Sequence, residues 1–208
     1  EDNMGAFTLG PLAVNALELS NVGATLASGG RWCEPNPIKE VLDQHGKQVF
    51  IDRPACEQAV SPEVAGALSH GMSKDIIDGT ASASARNNGW SAQTAAKTGT
   101  TESHHSTAFL GFTRGMAAAP YIYNDGVQST PLCTQPVRQC QYGTLFGGNE
   151  AADTWFQAAA GVPGAAAGGL PPASPAHVRG TKRGALDAVV GQYSSAAKSQ
   201  LEAQGYVV

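Results

Sequence analysis

The chain has 208 residues, of which 42% are apolar, enough for a buried core and too many for a disordered protein. Its net charge is −4 and its 13 Lys and Arg residues are scattered, which argues against a nucleic-acid partner. No apolar run approaches the roughly 18 residues needed to span a membrane. The first residues, EDNMGAFTLG, contain no initiator Met and no targeting segment. We therefore expect the chain to be the middle of a longer polypeptide.

The first predicted element is a helix in the stretch NALELSNVGATLASGG. Asn15 is a good N-cap, and Glu18 three residues later completes a capping box. Gly29 provides the left-handed stop. The predicted apolar stripe consists of Leu19, Val22 and Leu26.

A hairpin and a second helix follow. The stretch PIKEVLDQHGKQVFI alternates apolar and polar residues on two arms, with Gly46 in the turn. Ser61 is then the predicted N-cap of a helix with Pro62 in its first position. Its predicted apolar stripe recurs every four residues and consists of Val64, Leu68, Met72 and Ile76. The helix is expected to end at Gly79.

The chain has four cysteines, which allow three pairings. Cys33 and Cys56 flank the hairpin almost symmetrically, and Cys133 and Cys140 close a short polar loop. Two disulfides in this arrangement would indicate an exported protein, whereas four free buried thiols are the alternative. No cysteine has CxxC or zinc-ligand spacing, so the sequence predicts no metal site.

Three strands and a closing helix are predicted in the second half. The strands cover TAAKTGT, residues 106–113 and residues 116–124, and we expect them to form an antiparallel meander. The stretch NEAADTWFQAAAG predicts a helix that offers Trp155 and Phe156 to the core. Residues 161–176 are a Gly, Ala and Pro linker with no predicted packing face, and a capped helix starts at Ser194.

The strand AAKTGTT has the residue types that acyl transfer requires. Such a site needs a nucleophile, a base, an oxyanion hole and a clamp for the substrate's carboxylate. Thr98 and Thr100 alternate with Gly99, so their hydroxyls emerge on one face, and Lys97 supplies a cation. The backbone N–H of residue 100 is a candidate oxyanion donor. The alternative is that Lys97 is an ordinary solvated strand residue.

The stretch AAKTGTTESHHSTAFLGFT resembles the third motif of penicillin-binding proteins, a K-T-G-T strand, a short turn and an aromatic-rich strand. The first helix and hairpin, the segment DGTASASA and the segment FGGNEAADTW resemble the parts that surround this motif in class A members. About 160 residues are covered in the expected order. The resemblance implies an α+β fold in which helices flank an antiparallel sheet.

The resemblance also implies roles for the strand. Lys97 supports the proton relay and the electrostatics of the site. Thr98 and Thr100 hold the substrate's carboxylate, Gly99 permits its close approach, and the Thr100 N–H completes the oxyanion hole. No metal or other cofactor is implied. The activity implied for the whole protein is D,D-transpeptidation of D-Ala-D-Ala stem peptides of peptidoglycan, with β-lactams acylating the same serine.

The serine nucleophile of this family lies in an S-x-x-K motif before the K-T-G strand, and an S-x-N motif lies between them. The only S-x-x-K here is Ser195 to Lys198, which follows the linker, and S-x-N does not occur. We interpret Ser195 as a chance match on a solvated helix. We expect the serine to lie in an N-terminal complement of the domain, without which this chain is neither active nor stable.

The C-terminal residues VVGQYSSAAKSQLEAQGYVV resemble the first half of a PASTA module, with Gly191, Ala197, Leu201 and Gly205 at that module's spacing. Such modules follow the transpeptidase domain in some Gram-positive and actinobacterial class A enzymes, which also carry a glycosyltransferase domain and a membrane anchor. The predicted organisation is half of a transpeptidase domain (1–160), a linker (161–176) and a truncated PASTA-like module (177–208), outside the cytoplasm. A generic capped helix is the alternative for the last part.

Several other residues invite a functional interpretation. Glu102, His104 and His105 suggest a metal site or a general base, but a polar turn between two strands explains them. Trp90 suggests a wall of the cleft, but a core position explains it as well. For the whole protein, the alternatives are a D,D-carboxypeptidase, a serine β-lactamase, or a non-catalytic protein that binds or senses peptidoglycan.

Overall fold

The computed structural model describes residue 10 and residues 13–128, 130–133, 145–179 and 193–203. The helices are α1 (Ala16–Ala27), α2 (Pro62–Met72), α3 (Ser82–Asn87), α4 (Ala152–Ala160), α5 (Pro175–Arg179) and α6 (Ser194–Ala203). The strands are β1 (Arg31–Trp32), β2 (Val41–Leu42), β3 (Gln48–Val49), β4 (Glu57–Gln58), β5 (Ala95–Thr100), β6 (Ser106–Phe112), β7 (Ala117–Ala118) and β8 (Tyr121–Tyr123). The chain is therefore α+β, as the sequence predicted.

Both ends of α1 are capped as predicted. The Asn15 side chain accepts a hydrogen bond from the Glu18 backbone N–H at 2.8 Å, and the Glu18 carboxylate accepts one from the Asn15 N–H at 3.1 Å. These two bonds satisfy backbone donors that the first turn of a helix leaves unpaired. Gly29 follows the C-cap at φ +74°, a left-handed conformation that favours glycine.

The predicted apolar stripes of α1 and α2 are partly wrong. Leu26 is buried, but Val22 is 52% exposed and Gly23 takes its place against the sheet. In α2 the buried residues are Ala65, Gly66 and Ser69, whereas Val64 and Leu68 are exposed, and the helix ends at Met72 rather than at Gly79. Small residues form these contact faces because Gly23 lies against Leu110, Phe112 and Ala117 of the main sheet and Gly66 lies against the backbone of Pro172.

Two short hairpin pairings connect α1 and α2. β2 pairs with β3 through Val41–Val49 and Leu42–Gln48, with Gly46 in the turn at φ +77°. β1 pairs with β4 outside this hairpin, which brings Cys33 and Cys56 together in a disulfide with a Cα–Cα distance of 4.4 Å. This bridge confirms the predicted pairing. Cys133 is also disulfide-bonded, and Cys140 lies outside the described residues.

The main sheet is the predicted antiparallel meander with one modification. β6 is the central strand, β5 pairs along its whole length from Ala95–Phe112 to Thr100–Thr107, and the third strand is divided into β7 and β8. Pro120 lies at this division, and proline cannot donate to a sheet ladder. Its carbonyl instead accepts the Phe109 N–H at 3.1 Å.

The two faces of the main sheet are covered by different helices. Because side chains alternate along a strand, neighbouring residues of β5 and β6 enter two separate clusters. The α1/α2 face contains Ala95, Leu110 and Phe112 with Leu26 and Ala65. The α3/α4 face contains Ala96 and Phe109 with Trp155 and Phe156.

An aromatic cluster on the α3/α4 face fixes α4 to the sheet. The Trp155 ring lies 5.4 Å from that of Trp90 and 5.3 Å from that of Phe156, both edge-to-face. Its buried indole N–H donates to the Gly111 carbonyl at 3.0 Å. Both Trp155 and Phe156 are completely buried, as predicted. Trp90 packs against the same cluster, which agrees with a core position for this residue.

Residues 161–174 pack against the domain, so the expectation that this segment has no packing face is wrong. Ala165 is buried, and its carbonyl accepts the Thr113 hydroxyl at 2.5 Å. The Leu170 N–H donates to Gln93 Oε1 at 2.9 Å. These contacts are made by backbone groups and small residues of the segment, and composition alone does not reveal them. We call residues 161–174 the strap.

The contact between the strap and α2 gives a testable prediction. A Cβ added at Gly66 would lie 2.1 Å from the Pro172 carbonyl oxygen, so Gly66→Ala requires a backbone shift. We expect this variant to lower the free energy of unfolding by about 1–3 kcal/mol, as overpacking does. Denaturant unfolding of the full-length protein measures it.

Gly71→Ala is the matched control in the same helix. A Cβ at Gly71 meets nothing within 4 Å, so this variant should gain about 0.5–1 kcal/mol from the higher helix propensity of alanine. Equal effects of the two variants would contradict the packing of the strap on α2.

The chain divides into two compact units, of which the first ends at Val178 and the second begins at Arg179. In the second unit α6 has the exposed ion pair Lys198–Glu202 at 3.8 Å. None of the helices in the described residues is long and apolar enough to cross a membrane.

Candidate active site

The KTGT strand lies at an edge of the main sheet. Within the described part of the chain β5 pairs with β6 alone, so its second edge is open. Antiparallel pairs alternate between residues that exchange hydrogen bonds and residues that do not. The Thr101 N–H donates to the Ser106 carbonyl, and the Phe109 N–H points away from β5 to Pro120. This alternation directs the N–H groups of Thr98 and Thr100 out of the open edge.

The hydroxyls of Thr98 and Thr100 lie on the α3/α4 face, as their alternation predicted. The Thr98 hydroxyl lies 2.7 Å from that of Thr80, in the loop before α3. The Thr100 hydroxyl accepts the Gly147 N–H at 3.2 Å. Both side chains therefore have neighbours that fix their positions at the mouth of the open edge.

Gly147 brings the start of the closing helical region against the KTGT strand. It opens a π-helical turn, Gly147–Ala151, that leads into α4. An added Cβ would lie 2.4 Å from both the Gly99 and the Ala108 carbonyl oxygens. A side chain at this position is therefore excluded by the backbone of two strands. Gly147 belongs to the segment FGGNEAADTW, which resembles the family, but the sequence predicted no individual role for it.

Lys97 emerges on the opposite face of the sheet from the two threonine hydroxyls. It follows the buried Ala95 on the α1/α2 face and is itself exposed. Its ammonium group donates to the Thr98 carbonyl at 2.7 Å, one of the groups at the open edge. An ammonium group has three donors. Among the described residues Lys97 forms no ion pair, which leaves its remaining donors for groups on that face.

Gly99 is not required by packing inside the described structure. A Cβ at this position would approach only Ala108, at the ordinary contact distance of 3.9 Å. Its φ is not positive, so the backbone does not demand glycine either. The absence of a side chain leaves the Lys97 side of the strand accessible, which is where a ligand would approach the backbone.

The turn after β5 contains the residues that suggested a metal site. Glu102–His104 forms a 3-10 turn in which Ser103 and His104 have positive φ. The His104 ring lies 4.7 Å from that of Phe146, and the Leu132 N–H donates to its carbonyl. In the described ranges no group of three His, Cys, Asp or Glu residues is arranged to hold a metal. The structure thus places these residues in a turn, as the simpler interpretation predicted.

Ser195 lies on an exposed part of α6 in the second unit, and the ammonium group of Lys198 pairs with Glu202. The first unit brings Thr98, Gly99 and Thr100 together with Thr80 and Gly147, two residues to which no role was assigned from sequence. Thr80 is part of the segment DGTASASA, which resembles the family. Only the folded loop reveals that its hydroxyl meets that of Thr98.

Two examples of solved structures with this fold are both penicillin-binding proteins. PonA1 of Mycobacterium tuberculosis, solved in complex with penicillin V, matches with a TM-score of 0.63 and 20% identity over 84% of this chain. Penicillin-binding protein 1A of Haemophilus influenzae matches with a TM-score of 0.61 and 19% identity over 80% of this chain. The match covers 46% of the first chain and 29% of the second, so this chain spans less than half of either.

A comparison with curated protein sequences gave no match. The family profile described as the penicillin-binding protein transpeptidase domain matches residues 1–120, which include α1, α2 and the KTGT strand. The match extends over more than half of the chain and agrees with the fold. The chain belongs to the penicillin-binding protein transpeptidase domain family.

Proposed function

We propose that this chain contributes the KTGT half of a serine D,D-transpeptidase site that cross-links peptidoglycan. The observation that carries the proposal is the open edge of β5, where two outward N–H groups, two positioned hydroxyls and one ammonium group surround a bare glycine. This set can bind an extended peptide and its carboxylate. Family membership and the penicillin V complex of PonA1 support the same reading.

The stem peptide lies along the open edge of β5 as an added strand. Its terminal carboxylate binds Thr98 and Thr100, and the carbonyl oxygen of the penultimate D-Ala accepts the Thr100 N–H. This donor stabilises the negative charge that develops on the oxygen during attack. Lys97 supports proton transfer and lowers the energy of anionic groups on the α1/α2 face.

The reaction proceeds through an acyl-enzyme. A serine oxygen attacks the penultimate D-Ala carbonyl, the peptide bond breaks, and the terminal D-Ala leaves with a proton as a free amino acid. The amine of a neighbouring stem then attacks the ester, forms the new peptide bond and returns the proton to serine. A β-lactam acylates the same serine by opening its ring.

We propose that the serine lies outside these 208 residues, in a segment that completes the domain. S-x-N is missing and the only S-x-x-K is on α6. The exposed residues Leu17 and Val22 of α1, and Val64 and Leu68 of α2, suit such a segment, since a completed domain would bury them. Lys97 is exposed toward the same side of the sheet.

The finer assignment concerns the whole protein. We propose a bifunctional class A enzyme of actinobacterial type, with a glycosyltransferase domain, a membrane anchor and a PASTA-like module from residue 177, acting outside the cytoplasm. The disulfide between Cys33 and Cys56 supports an oxidising compartment. The proposed domain covers residues 1–160. The packed strap supports extending it to about residue 174, so that the strap is part of the domain rather than a free linker.

Release of D-Ala from a synthetic stem pentapeptide tests the activity. The full-length protein, incubated with the pentapeptide and an acceptor stem amine, should release D-Ala and form the cross-linked product in comparable amounts. Pretreatment with penicillin should abolish both. Absence of D-Ala release and of penicillin acylation by a folded protein would contradict the proposal and favour a non-catalytic wall-binding protein.

The same experiment separates the related enzymes. A D,D-carboxypeptidase would release D-Ala with hydrolysis in place of cross-linking. A β-lactamase would hydrolyse penicillin with rapid turnover instead of remaining acylated. The packed strap and the additional unit after it favour the transpeptidase.

A further inference from the structure

We propose that Asp75 and Thr80 position the Thr98 hydroxyl for binding the substrate's carboxylate. The inference rests on the proposed function, since it assigns two positioning residues to the same site. Both lie in the segment between α2 and α3, outside the KTGT strand.

The contacts form a continuous chain from the loop to the strand. Asp75 Oδ1 accepts the Thr80 backbone N–H at 3.0 Å and the Thr80 hydroxyl at 2.7 Å. The Thr80 hydroxyl lies 2.7 Å from the Thr98 hydroxyl. Two bonds to one carboxylate oxygen fix both the backbone and the side chain of Thr80.

The direction of the hydrogens follows from the chemistry of the three groups. A carboxylate only accepts, and each hydroxyl has a single hydrogen. Thr80 gives its hydrogen to Asp75, so Thr98 donates to Thr80. The Thr98 oxygen is thereby held in one rotamer at the open edge of β5, with its lone pairs free.

The loop is built closely around Asp75. A Cβ at Gly79 would lie 2.6 Å from Asp75 Cα and 2.8 Å from its Oδ1, so only glycine lets the chain fold back over the carboxylate. Asp75 Oδ2 is buried and has no hydrogen-bond partner among the described residues. A buried carboxylate oxygen without a donor is costly, which favours a functional reason for this arrangement.

Substrate binding turns two hydroxyl hydrogens and moves no heavy atom. When a carboxylate arrives at the strand edge, the Thr98 O–H turns about its Cβ–Oγ1 bond from Thr80 to the carboxylate. The Thr80 O–H turns from Asp75 Oδ1 to the Thr98 oxygen, which keeps the hydrogen bond between the two hydroxyls, while Asp75 Oδ1 still accepts the Thr80 backbone N–H. The new charge-assisted hydrogen bond to the substrate's carboxylate offsets the one that Asp75 gives up. Thr80 holds the Thr98 oxygen in place before the substrate arrives. Without Thr80, the Thr98 side chain has to be ordered when the substrate binds.

Penicillin acylation kinetics of the full-length protein test this inference. Thr80→Ala should raise the half-saturating penicillin concentration about fivefold, the value of one neutral hydrogen bond, with the acylation rate at saturation within about twofold of wild type. Thr80→Ser keeps the hydroxyl and should restore binding. Thr154→Val, on the exposed side of α4, is the matched control and should change neither quantity.

The double variant separates positioning from a general structural effect. If Thr80 acts through Thr98, then Thr80→Ala combined with Thr98→Val binds penicillin no more weakly than Thr98→Val alone. Three outcomes would overturn the inference while Thr98→Val still weakens binding. The first is a double variant whose loss of affinity is the product of the two single losses. The others are equal effects of Thr80→Ala and Thr80→Ser, and penicillin binding by Thr80→Ala that is unchanged or tighter. An unchanged Thr98→Val variant would overturn the role proposed for the strand as well.

Discussion

Replacing Lys97 with alanine in the full-length protein should slow penicillin acylation by about 10²–10⁴-fold, the usual contribution of a group that assists proton transfer. The ammonium group is the one cation on β5, and it lies beside the carbonyl of Thr98. Rapid mixing with a fluorescent penicillin, followed by gel quantification of the adduct, measures the rate constant.

Two variants give this prediction its controls. Lys47→Ala removes the same charge from an exposed hairpin and should leave acylation unchanged. Lys97→Arg keeps the charge but replaces the compact ammonium group with a larger planar guanidinium group, so it should restore only part of the rate. A Lys97→Ala protein that is acylated at the wild-type rate would contradict the role of the strand.

The second large effect is on stability. Trp155→Ala should lower the free energy of unfolding by about 3–5 kcal/mol, as the loss of a large buried aromatic side chain does. Trp155 is completely buried among Trp90, Phe109 and Phe156, and its loss also removes the hydrogen bond from its indole N–H to the Gly111 carbonyl. Denaturant unfolding followed by circular dichroism measures the change.

Phe50→Ala is the control, because Phe50 is 87% exposed and its removal should cost less than about 0.5 kcal/mol. Trp155→Phe retains most of the ring contact but loses the indole donor, and should fall between the two. Similar losses in Trp155→Ala and Phe50→Ala would contradict the position of α4 against the sheet.

Local sequence signals predicted the elements whose causes are local. The capping box of Asn15 and Glu18, the turn at Gly46 and the alternation of Thr98 and Thr100 each depend on a few neighbouring residues, and all three are present in the structure. The disulfide between Cys33 and Cys56 was predictable from the symmetry of the hairpin between them.

Features that depend on close packing were not predictable in this way. Hydrophobic spacing favoured Val64 and Leu68 as the buried face of α2. Instead Ala65 lies there in the core cluster on the α1/α2 face of the sheet, and Gly66 lies there because the strap backbone approaches it. The strap itself was expected to be a linker because small residues give no hydrophobic pattern. Small residues also allow backbones to approach closely, so a flexible linker and a closely packed segment can have the same composition.

The candidate site also has one part that local sequence predicted and one part that depends on contacts between distant residues. The KTGT strand is a contiguous motif, so its residues were identified from sequence. Thr80 and Gly147 contact it from 18 and 47 residues away, and nothing in their local sequence indicates these contacts. The face of the sheet on which Lys97 lies also follows from the alternation of side chains along β5.

The most direct test of the central claim is to find the residue that penicillin acylates. The purified full-length protein would be incubated with a fluorescent penicillin, and intact masses and peptide maps would be taken of every polypeptide present. The account predicts a single penicilloyl adduct on a serine outside these 208 residues, and much slower formation of that adduct in Lys97→Ala. An adduct on Ser195, or no adduct on a folded protein, would contradict it.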